Sequence, residues 1–211
     1  MKVYSYIVEH DLGFAPNPFH GVCSLACCKP RIRKRAKVGE YVLGVGGARP
    51  KLRGHLIYWM RIDEILTFDQ YWADRRFRHK KALVHGTTYL RYGDNIYHRH
   101  GGIEYRQENS FHSNEDGSIS RGDLKRDTGT TDRVLLGREF AFWGRSAMPV
   151  PAELACFLRT GRDYRSNFEV EEIEALLTWL APLPRGYLGE PADWQFLGSK
   201  KRGRARKKAG S

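Results

Sequence analysis

The chain has 211 residues, and its 36 lysines and arginines outnumber its 24 aspartates and glutamates, which gives a formal net charge of +12. Hydrophobic residues make up 41% and aromatic residues 12% of the chain, which excludes a disordered polyelectrolyte. No apolar run reaches the roughly 18 residues of a membrane-spanning helix, and the first residues lack a signal-peptide pattern. The four cysteines show no disulfide spacing, so we expect a cytoplasmic protein with reduced thiols and no membrane contact.

The positive charge is concentrated near the end of the sequence. Residues 199–211 contain seven basic residues and no acidic one, and +12 less these seven leaves +5 on the rest. Segments of this composition bury little apolar surface, so we expect residues 198–211 to form a disordered tail. Such a tail binds the phosphate backbone of nucleic acid without sequence preference, unless it serves only for solubility. Its basic residues are Lys200, Lys201, Arg202, Arg204, Arg206, Lys207 and Lys208.

The first half of the chain has mainly strand-like patterns. A β-branched and aromatic run predicts a strand at residues 3–8. Residues 41–45 predict a short buried strand, and residues 55–65 give the strongest strand pattern in the chain. Thr67 then has the position of an N-cap for a helix over residues 68–76.

The second half changes from strands to helix. Residues 96–97 predict a short strand, and the polar, glycine-containing residues 113–131 predict a long surface loop. Residues 133–136 and 140–143 predict either two strands or one broken strand. Residues 168–180 then form the clearest helical pattern in the chain.

This order of elements predicts an α+β fold. Short strands between glycine-rich loops favour a small, bent β-barrel with flanking helices. We assign residues 1–197 to a single β-rich domain, whose helical segment covers about residues 149–197. The sequence contains no internal repeat, dinucleotide-binding glycine motif or phosphate-binding loop.

Several sequence blocks carry a resemblance to a known family. The longest is GFAPNPFHGVCSLACCKPRIRKRAKVGEYVLGVG at residues 13–46. The blocks GDNIY, SFHS, DRVL and FAFWG follow in order and end at residue 144. Together they resemble the second type of nucleotide modification associated domain, a family of bacteria and phages. The chain departs mildly from that pattern, with Gly39-Glu40-Tyr41 in place of Gly-Asp-Trp and with Gly137 where a serine is common.

The resemblance implies an association with systems that modify nucleic-acid bases. It implies no particular reaction, because the family name describes genomic neighbours more than chemistry. The early strands are also similar in order to those of PUA-like barrels, some of which bind modified bases. That second similarity concerns the fold alone and says little about function.

The loop at residues 11–21 and the residues after it have the components of a nucleotide pocket. An aromatic ring such as Phe19 stacks on a base, and Asn17 can recognise a base edge with its paired donor and acceptor. Lys29 and Arg33 can hold phosphate, and Cys23 lies between them and the loop. The alternative is a structural loop in which Phe19 packs in the core and the basic side chains are solvated.

Thiols and histidines of the same region resemble metal ligands. The candidates are His20, Cys23, Cys27 and Cys28, with His98 and His100 as a second pair. A zinc site needs two such pairs brought together, so we favour small buried thiols and predict no metal. Cys23 could instead act as a nucleophile if a base such as His112 lies beside it.

His112 is the strongest candidate for proton transfer. It lies between two serines and outside any amphipathic helix, so packing does not explain it. We predict Asp94 as its partner, and Asp132 as the alternative unless Asp132 pairs with the following arginine. Asn95 and Tyr97 are assigned to nucleotide binding, although the Gly-Asp-Asn turn also explains Asp94 and Asn95 as turn residues.

These observations predict a protein that acts on the bases of nucleic acids or nucleotides through one pocket. Two alternatives remain open. The first is a non-catalytic reader of modified bases in a PUA-like barrel, and the second is a partner of a modification enzyme that its tail tethers to DNA. No cofactor follows from these residues.

Overall fold

The computed structural model describes residues 1–47, 52–99, 101–158, 161 and 163–196. The predicted tail, residues 198–211, and His100 lie outside the described residues. Among those that are described, no helix combines the length and the apolarity needed to cross a membrane.

Eleven strands occur in this part of the chain. They are β1 (Val3–Val8), β2 (Cys23–Leu25), β3 (Tyr41–Gly46), β4 (His55–Arg61), β5 (Glu64–Thr67), β6 (Tyr97–His98), β7 (Arg106–Gln107), β8 (Arg133–Gly137), β9 (Phe140–Phe142), β10 (Met148–Pro149) and β11 (Gly186–Tyr187). The α-helices are α1 (Pro30–Arg35), α2 (Phe68–Ala73), α3 (Thr88–Arg91), α4 (Arg121–Thr128) and α5 (Val170–Leu180). Four 3₁₀ helices lie at Arg75–Lys80, Gly144–Ser146, Ala152–Phe157 and Ala192–Phe196.

The strands form separate open sheets, and the predicted small β-barrel is wrong. The main sheet has the order β1-β3-β4-β9-β11, with β10 also paired to β4. A second sheet has the order β2-β8-β5, and β6 pairs with β7 alone. A barrel requires the two outer strands of a sheet to pair, whereas β1 and β11 remain at opposite edges of the described main sheet. The α+β composition is confirmed.

The strong strand pattern at residues 55–65 spans a change from one sheet to the other. β4 belongs to the main sheet and β5 to the second, with Ile62 and Asp63 between them. The Asp63 carboxylate accepts the backbone N–H of Arg138 at 2.6 Å, at the corresponding turn between β8 and β9. The two chain segments therefore change sheets together, which the pattern of apolar residues does not reveal.

The two sheets share a core, and helices cover the other side of the main sheet. Tyr6 and Met60 of the main sheet pack with Leu25 and Leu135 of the second. On the opposite side, the main sheet packs against apolar residues of α5 such as Leu176. The close approach of β3 to β4 requires a glycine, because a Cβ at Gly44 would collide with the ring of Tyr58.

Local helix signals in the sequence are partly confirmed. Thr67 caps α2 as predicted, with Gln70 N–H donating to its hydroxyl at 3.2 Å. Residues 113–131 were expected to be loop, but they contain α4, whose polar surface gives no apolar periodicity. The N-terminus of α4 is capped by the side chain of Ser120. This helix also carries Arg126 and Asp127, which belong to the site described next.

Candidate active site

A cavity of about 490 Å³ opens beside the C-terminal end of β1. Tyr6, Phe14 and Phe111 contribute aromatic walls, and Lys29 and Arg126 contribute positive charge. Cys28 and His112 also face the cavity. The cavity therefore combines flat apolar surfaces, cations and two residues that can perform nucleophilic and proton-transfer chemistry.

Cys28, His112 and Asp127 form a chain of polar contacts. The Sγ of Cys28 lies 3.8 Å from Nε2 of His112. The other ring nitrogen, Nδ1, lies 3.1 Å from Oδ2 of Asp127. A nucleophile beside a base that is itself oriented by a buried carboxylate is the arrangement of catalytic triads.

Asp127 is fully buried and has several partners. Its carboxylate accepts hydrogen bonds from the Cys28 backbone N–H at 2.9 Å and from the Tyr97 hydroxyl at 3.0 Å. The Arg126 Nε donates to it at 3.1 Å. Burial by itself would raise the pKa of Asp127, but hydrogen bonds from His112 and Arg126 lower it to about 2. The carboxylate is therefore charged at neutral pH and fixes the orientation of the imidazole.

The same contacts favour the protonated form of His112. Burial would lower the pKa of His112, whereas hydrogen bonds to Asp127 and Cys28 raise it to about 9. Nη2 of Arg126 lies 3.3 Å and 3.4 Å from the two ring nitrogens. This near-equal spacing places the guanidinium against the ring rather than in line with one nitrogen. His112 can thus remain an imidazolium beside a cation because Asp127 supplies the compensating charge.

The backbone at Cys28 is held in an uncommon conformation. Cys28 and Lys29 have φ values of 59° and 43°, in the left-handed region that non-glycine residues rarely adopt. The buried guanidinium of Arg33 donates to the Cys28 carbonyl at 2.9 Å and to the Asp127 carbonyl at 2.6 Å. Arg33 therefore joins the cysteine to the carboxylate through their backbones, and its charge does not face the cavity.

The chain was compared with known proteins and family models. A family model described as nucleotide modification associated domain 2 matches residues 1–198, which include every residue of the cavity. The chain belongs to the nucleotide modification associated domain 2 family. Comparisons with curated proteins and with solved structures gave no match.

Two of the residues predicted from the sequence line the cavity of Cys28, and a third contacts a residue beside it. His112 and Lys29 face the cavity, and the Tyr97 hydroxyl contacts the buried Asp127. The ammonium of Lys29 lies 4.6 Å from the centre of the Tyr6 ring, and burial lowers the pKa of this lysine. The pocket hypothesis required Asn17, Lys29 and His112 to converge, and of these only Lys29 and His112 line the cavity.

The expected pairing of Asp94 with His112 is not formed, because Asp94 lies in a different buried cluster. The Ser24 hydroxyl donates to Asp94 at 2.7 Å, and the Tyr71 hydroxyl donates to it at 2.9 Å. Lys80 donates to Ser24 at 2.9 Å and to the side-chain oxygen of Asn17 at 2.7 Å. Asp127 occupies the position that we had expected for Asp94.

Asn17 and Asn95 use their side chains inside the protein. The Asn17 amide donates to the Tyr92 carbonyl at 2.9 Å, and its oxygen accepts from Lys80. The Asn95 amide donates to the Tyr71 carbonyl at 2.9 Å. Neither residue lines the cavity of Cys28, so neither can recognise a base there.

The remaining predicted residues lie in the core or in a second cavity. Cys23 is fully buried, and burial raises the pKa of its thiol to about 12. Its position in the core, apart from His112, does not favour the nucleophilic role that we considered. Phe19 packs against other aromatic rings and lines a different cavity.

The metal ligands proposed from the sequence do not form one cluster among the residues that the structure describes. His98 donates its Nε2 hydrogen to the Glu108 carboxylate at 2.7 Å and stacks on Trp72, while His20 lies against His79. A different trio could hold a metal ion, since ligand atoms of Cys27, His112 and Asp127 lie within 4.8 Å of one another. The adjacent Arg126 cation and the high pKa of His112 both oppose cation binding there.

Sequence reasoning missed three residues of the site. Cys28 was considered only as a metal ligand or a buried thiol, and Arg126 and Asp127 lay in the expected surface loop. The signal that could have revealed them is the pair Ser120 and Asp123, since serine three residues before an acidic residue is typical of a helix N-terminus. A helix there would have made a buried acidic residue on its inner side a candidate partner for His112.

Proposed function

We propose that this chain is an enzyme that modifies a nucleotide or a base of nucleic acid, with Cys28 as its nucleophile. The observation that carries the proposal is the alignment of Cys28 Sγ, His112 and the buried Asp127, at 3.8 Å and 3.1 Å. Family membership supports nucleotides as the class of substrate. The ring of Phe111, which is 47% exposed at the cavity, supports it as well, because flat rings stack on bases.

The chemistry follows from the roles of the three side chains. Cys28 attacks an electrophilic carbon of the substrate as a thiolate that is paired with the His112 imidazolium. The imidazolium donates its proton to the leaving group as the C–S bond forms. In a second step a water or another acceptor displaces the sulfur, and the neutral His112 takes the proton of that acceptor. Asp127 remains charged throughout and stabilises the imidazolium.

Cations around the cavity fit a substrate that carries phosphate. Lys29 and Arg126 face the cavity directly, and Arg31 faces it in an ion pair with Asp163. Guanidinium and ammonium groups form charge-assisted hydrogen bonds with phosphate oxygens. Arg126 also stabilises negative charge on a substrate atom beside His112. We further propose that the basic tail holds nucleic acid through its backbone, which would raise the local concentration of substrate.

Protection of Cys28 from alkylation tests substrate binding at this cavity. The full chain is treated with iodoacetamide in the presence of single nucleoside monophosphates or oligonucleotides, and each cysteine is followed by peptide mass spectrometry. We expect at least one of these ligands to slow the alkylation of Cys28. Cys156 lies outside the cavity and should react at an unchanged rate.

Two variants extend this test to catalysis. Cys28→Ala should abolish conversion of any nucleotide that protects Cys28, whereas Cys156→Ala should retain it. Loss of an acid–base group costs about 10²–10⁴ in rate, so His112→Gln should also be nearly inactive. The proposal fails if no nucleotide or oligonucleotide protects Cys28, or if Cys28→Ala converts a protecting ligand as fast as the wild type does.

A further inference from the structure

A second cavity of about 490 Å³ lies apart from Cys28, beside β9, β11 and α3. Phe19, Tyr89, Phe140 and Tyr187 supply its aromatic walls. It shares no lining residue with the cavity of Cys28. The function proposed above uses none of its residues, so their arrangement requires a separate explanation.

Two tyrosines at this cavity leave much of their surface open. Tyr89 is 39% exposed and Tyr187 is 37% exposed, whereas Phe19 beneath them is 3% exposed. The Phe19 ring centre lies 5.1 Å from that of Tyr89 and 5.5 Å from that of Tyr187. Trp194 supports the group from behind, 5.2 Å from Tyr89. A rigid base thus presents two partly exposed rings, which is the form of a stacking platform.

The charge at this cavity is positive. Arg138 is exposed, and no other described residue forms an ion pair or a side-chain hydrogen bond with its guanidinium. Arg185 also lines the cavity, but it is already held over the Trp59 ring and by the Leu180 carbonyl. None of the described lining residues is acidic. The side chain of Arg138 is therefore available to an anion from outside the protein.

We propose that this cavity is a second binding site, which takes a nucleobase against Tyr89 and Tyr187 and its phosphate on Arg138. Flat π surfaces beside an unpaired guanidinium match the two parts of a nucleotide. The proposal does not rest on the chemistry at Cys28. Contacts between rings nevertheless link the two cavities, since Phe111 of the first lies 5.5 Å from Tyr92, and Tyr92 stacks on Trp194.

Binding of a labelled oligothymidylate tests this site. Fluorescence anisotropy is measured with the full chain in a Cys28→Ala background, at enough salt to weaken contacts made by the tail. Tyr89→Ala should weaken binding by at least about fivefold, because the base loses a stacking surface. Arg138→Gln should weaken binding through loss of the phosphate contact. The matched controls Tyr89→Phe, which keeps the ring, and Arg106→Gln, an exposed arginine on β7, should bind like the parent.

Ultraviolet crosslinking locates the base independently of affinity. Crosslinks of the oligothymidylate should map to the peptides that contain Tyr89 or Tyr187. Competition then distinguishes a free nucleotide from a nucleic-acid strand as the ligand. Thymidine monophosphate displaces the oligonucleotide if the site binds one nucleotide, and it does not if the site requires a strand. Inorganic phosphate serves as the control competitor.

The proposal is overturned if Arg138→Gln and Tyr89→Ala both bind like the parent and crosslinks map elsewhere. Arg138 is exposed, so that variant remains informative even if Tyr89→Ala does not fold. The result is also independent of the Cys28 proposal. Crosslinks can appear at Tyr89 although no ligand protects Cys28, and a ligand can protect Cys28 although no crosslinks appear at Tyr89.

Discussion

Cys28 differs from its two neighbouring cysteines in its backbone and its surroundings. Cys23 and Cys27 are fully buried, and burial raises the pKa of both thiols. The left-handed conformation at Cys28 instead turns its side chain toward the cavity and His112. The sequence shows three cysteines close together but contains nothing that fixes this backbone angle. For that reason the sequence could not single out Cys28 among the three, whereas it did single out His112 as a candidate for proton transfer.

The ionisation of His112 predicts a dependence of stability on pH. The pKa of His112 is raised from 6.5 to about 9 in the folded state. Its stabilising contribution is therefore complete below pH 6.5 and is lost as the pH rises through about 9. The pKa of Asp127 is lowered to about 2, so its contribution is present above about pH 4 and is lost as the pH falls through 2.

Urea unfolding at pH 7 and pH 10 measures the contribution of His112. Between pH 7 and pH 10, we expect the free energy of unfolding of the wild type to fall by on the order of 1–3 kcal/mol more than that of His112→Gln. Lys80 has the opposite effect on stability. Burial lowers its pKa to about 8, so the destabilisation from burying its charge decreases as the pH rises. Because Lys80 is present in both proteins, the difference between them isolates His112. Equal losses in the two proteins would contradict the assigned ionisation.

At the scale of secondary structure, local patterns were predictable and long-range pairing was not. The strand at β1 and the Thr67 cap follow from residue preferences and short spacing. The barrel was wrong because the parallel pairing of β1 with β3 and the separate β2-β8-β5 sheet depend on contacts between distant segments. α4 was missed because its stability comes from its cap and from the buried Asp127, not from an apolar face.

A buried polar cluster connects several of these elements and gives a prediction of its own. Lys80 is fully buried and bonds to Asn17 and to Ser24, which in turn bonds to Asp94. Lys80→Met would keep the volume but leave the Asp94 carboxylate buried without a cation. We expect it to lower the free energy of unfolding by about 3–5 kcal/mol.

Chemical denaturation of three variants checks that value. Lys125→Met, on the exposed surface of α4, should change stability by no more than about 0.5 kcal/mol. Asp94→Asn added to Lys80→Met should recover part of the loss, because it removes the unpaired charge. If Lys80→Met unfolded at the same urea concentration as the wild type, the buried charge of Lys80 would not stabilise the cluster.

At the scale of the whole molecule, the sequence indicated a nucleotide-related role, and the cavity at Cys28 is where we propose that such chemistry occurs. The ordered blocks between residues 13 and 144 carried the family resemblance, which the match over residues 1–198 confirms. Net charge was a poor guide, because the tail contributes +7 to the net charge of +12. The position of the site depends instead on the meeting of β1, α1 and α4 beside residues 111–112, which no local pattern predicts.

The rate at which Cys28 is alkylated tests the triad most directly. Iodoacetamide is added at neutral pH to the wild type and to His112→Gln, and modification of Cys28 and Cys156 is followed by mass spectrometry. Because the thiolate is the reacting form and the His112 imidazolium stabilises it, Cys28 should react at least about tenfold faster in the wild type. Cys156 should react equally in both proteins. Equal rates at Cys28 in the two proteins would contradict the assignment of Cys28, His112 and Asp127 as a catalytic unit.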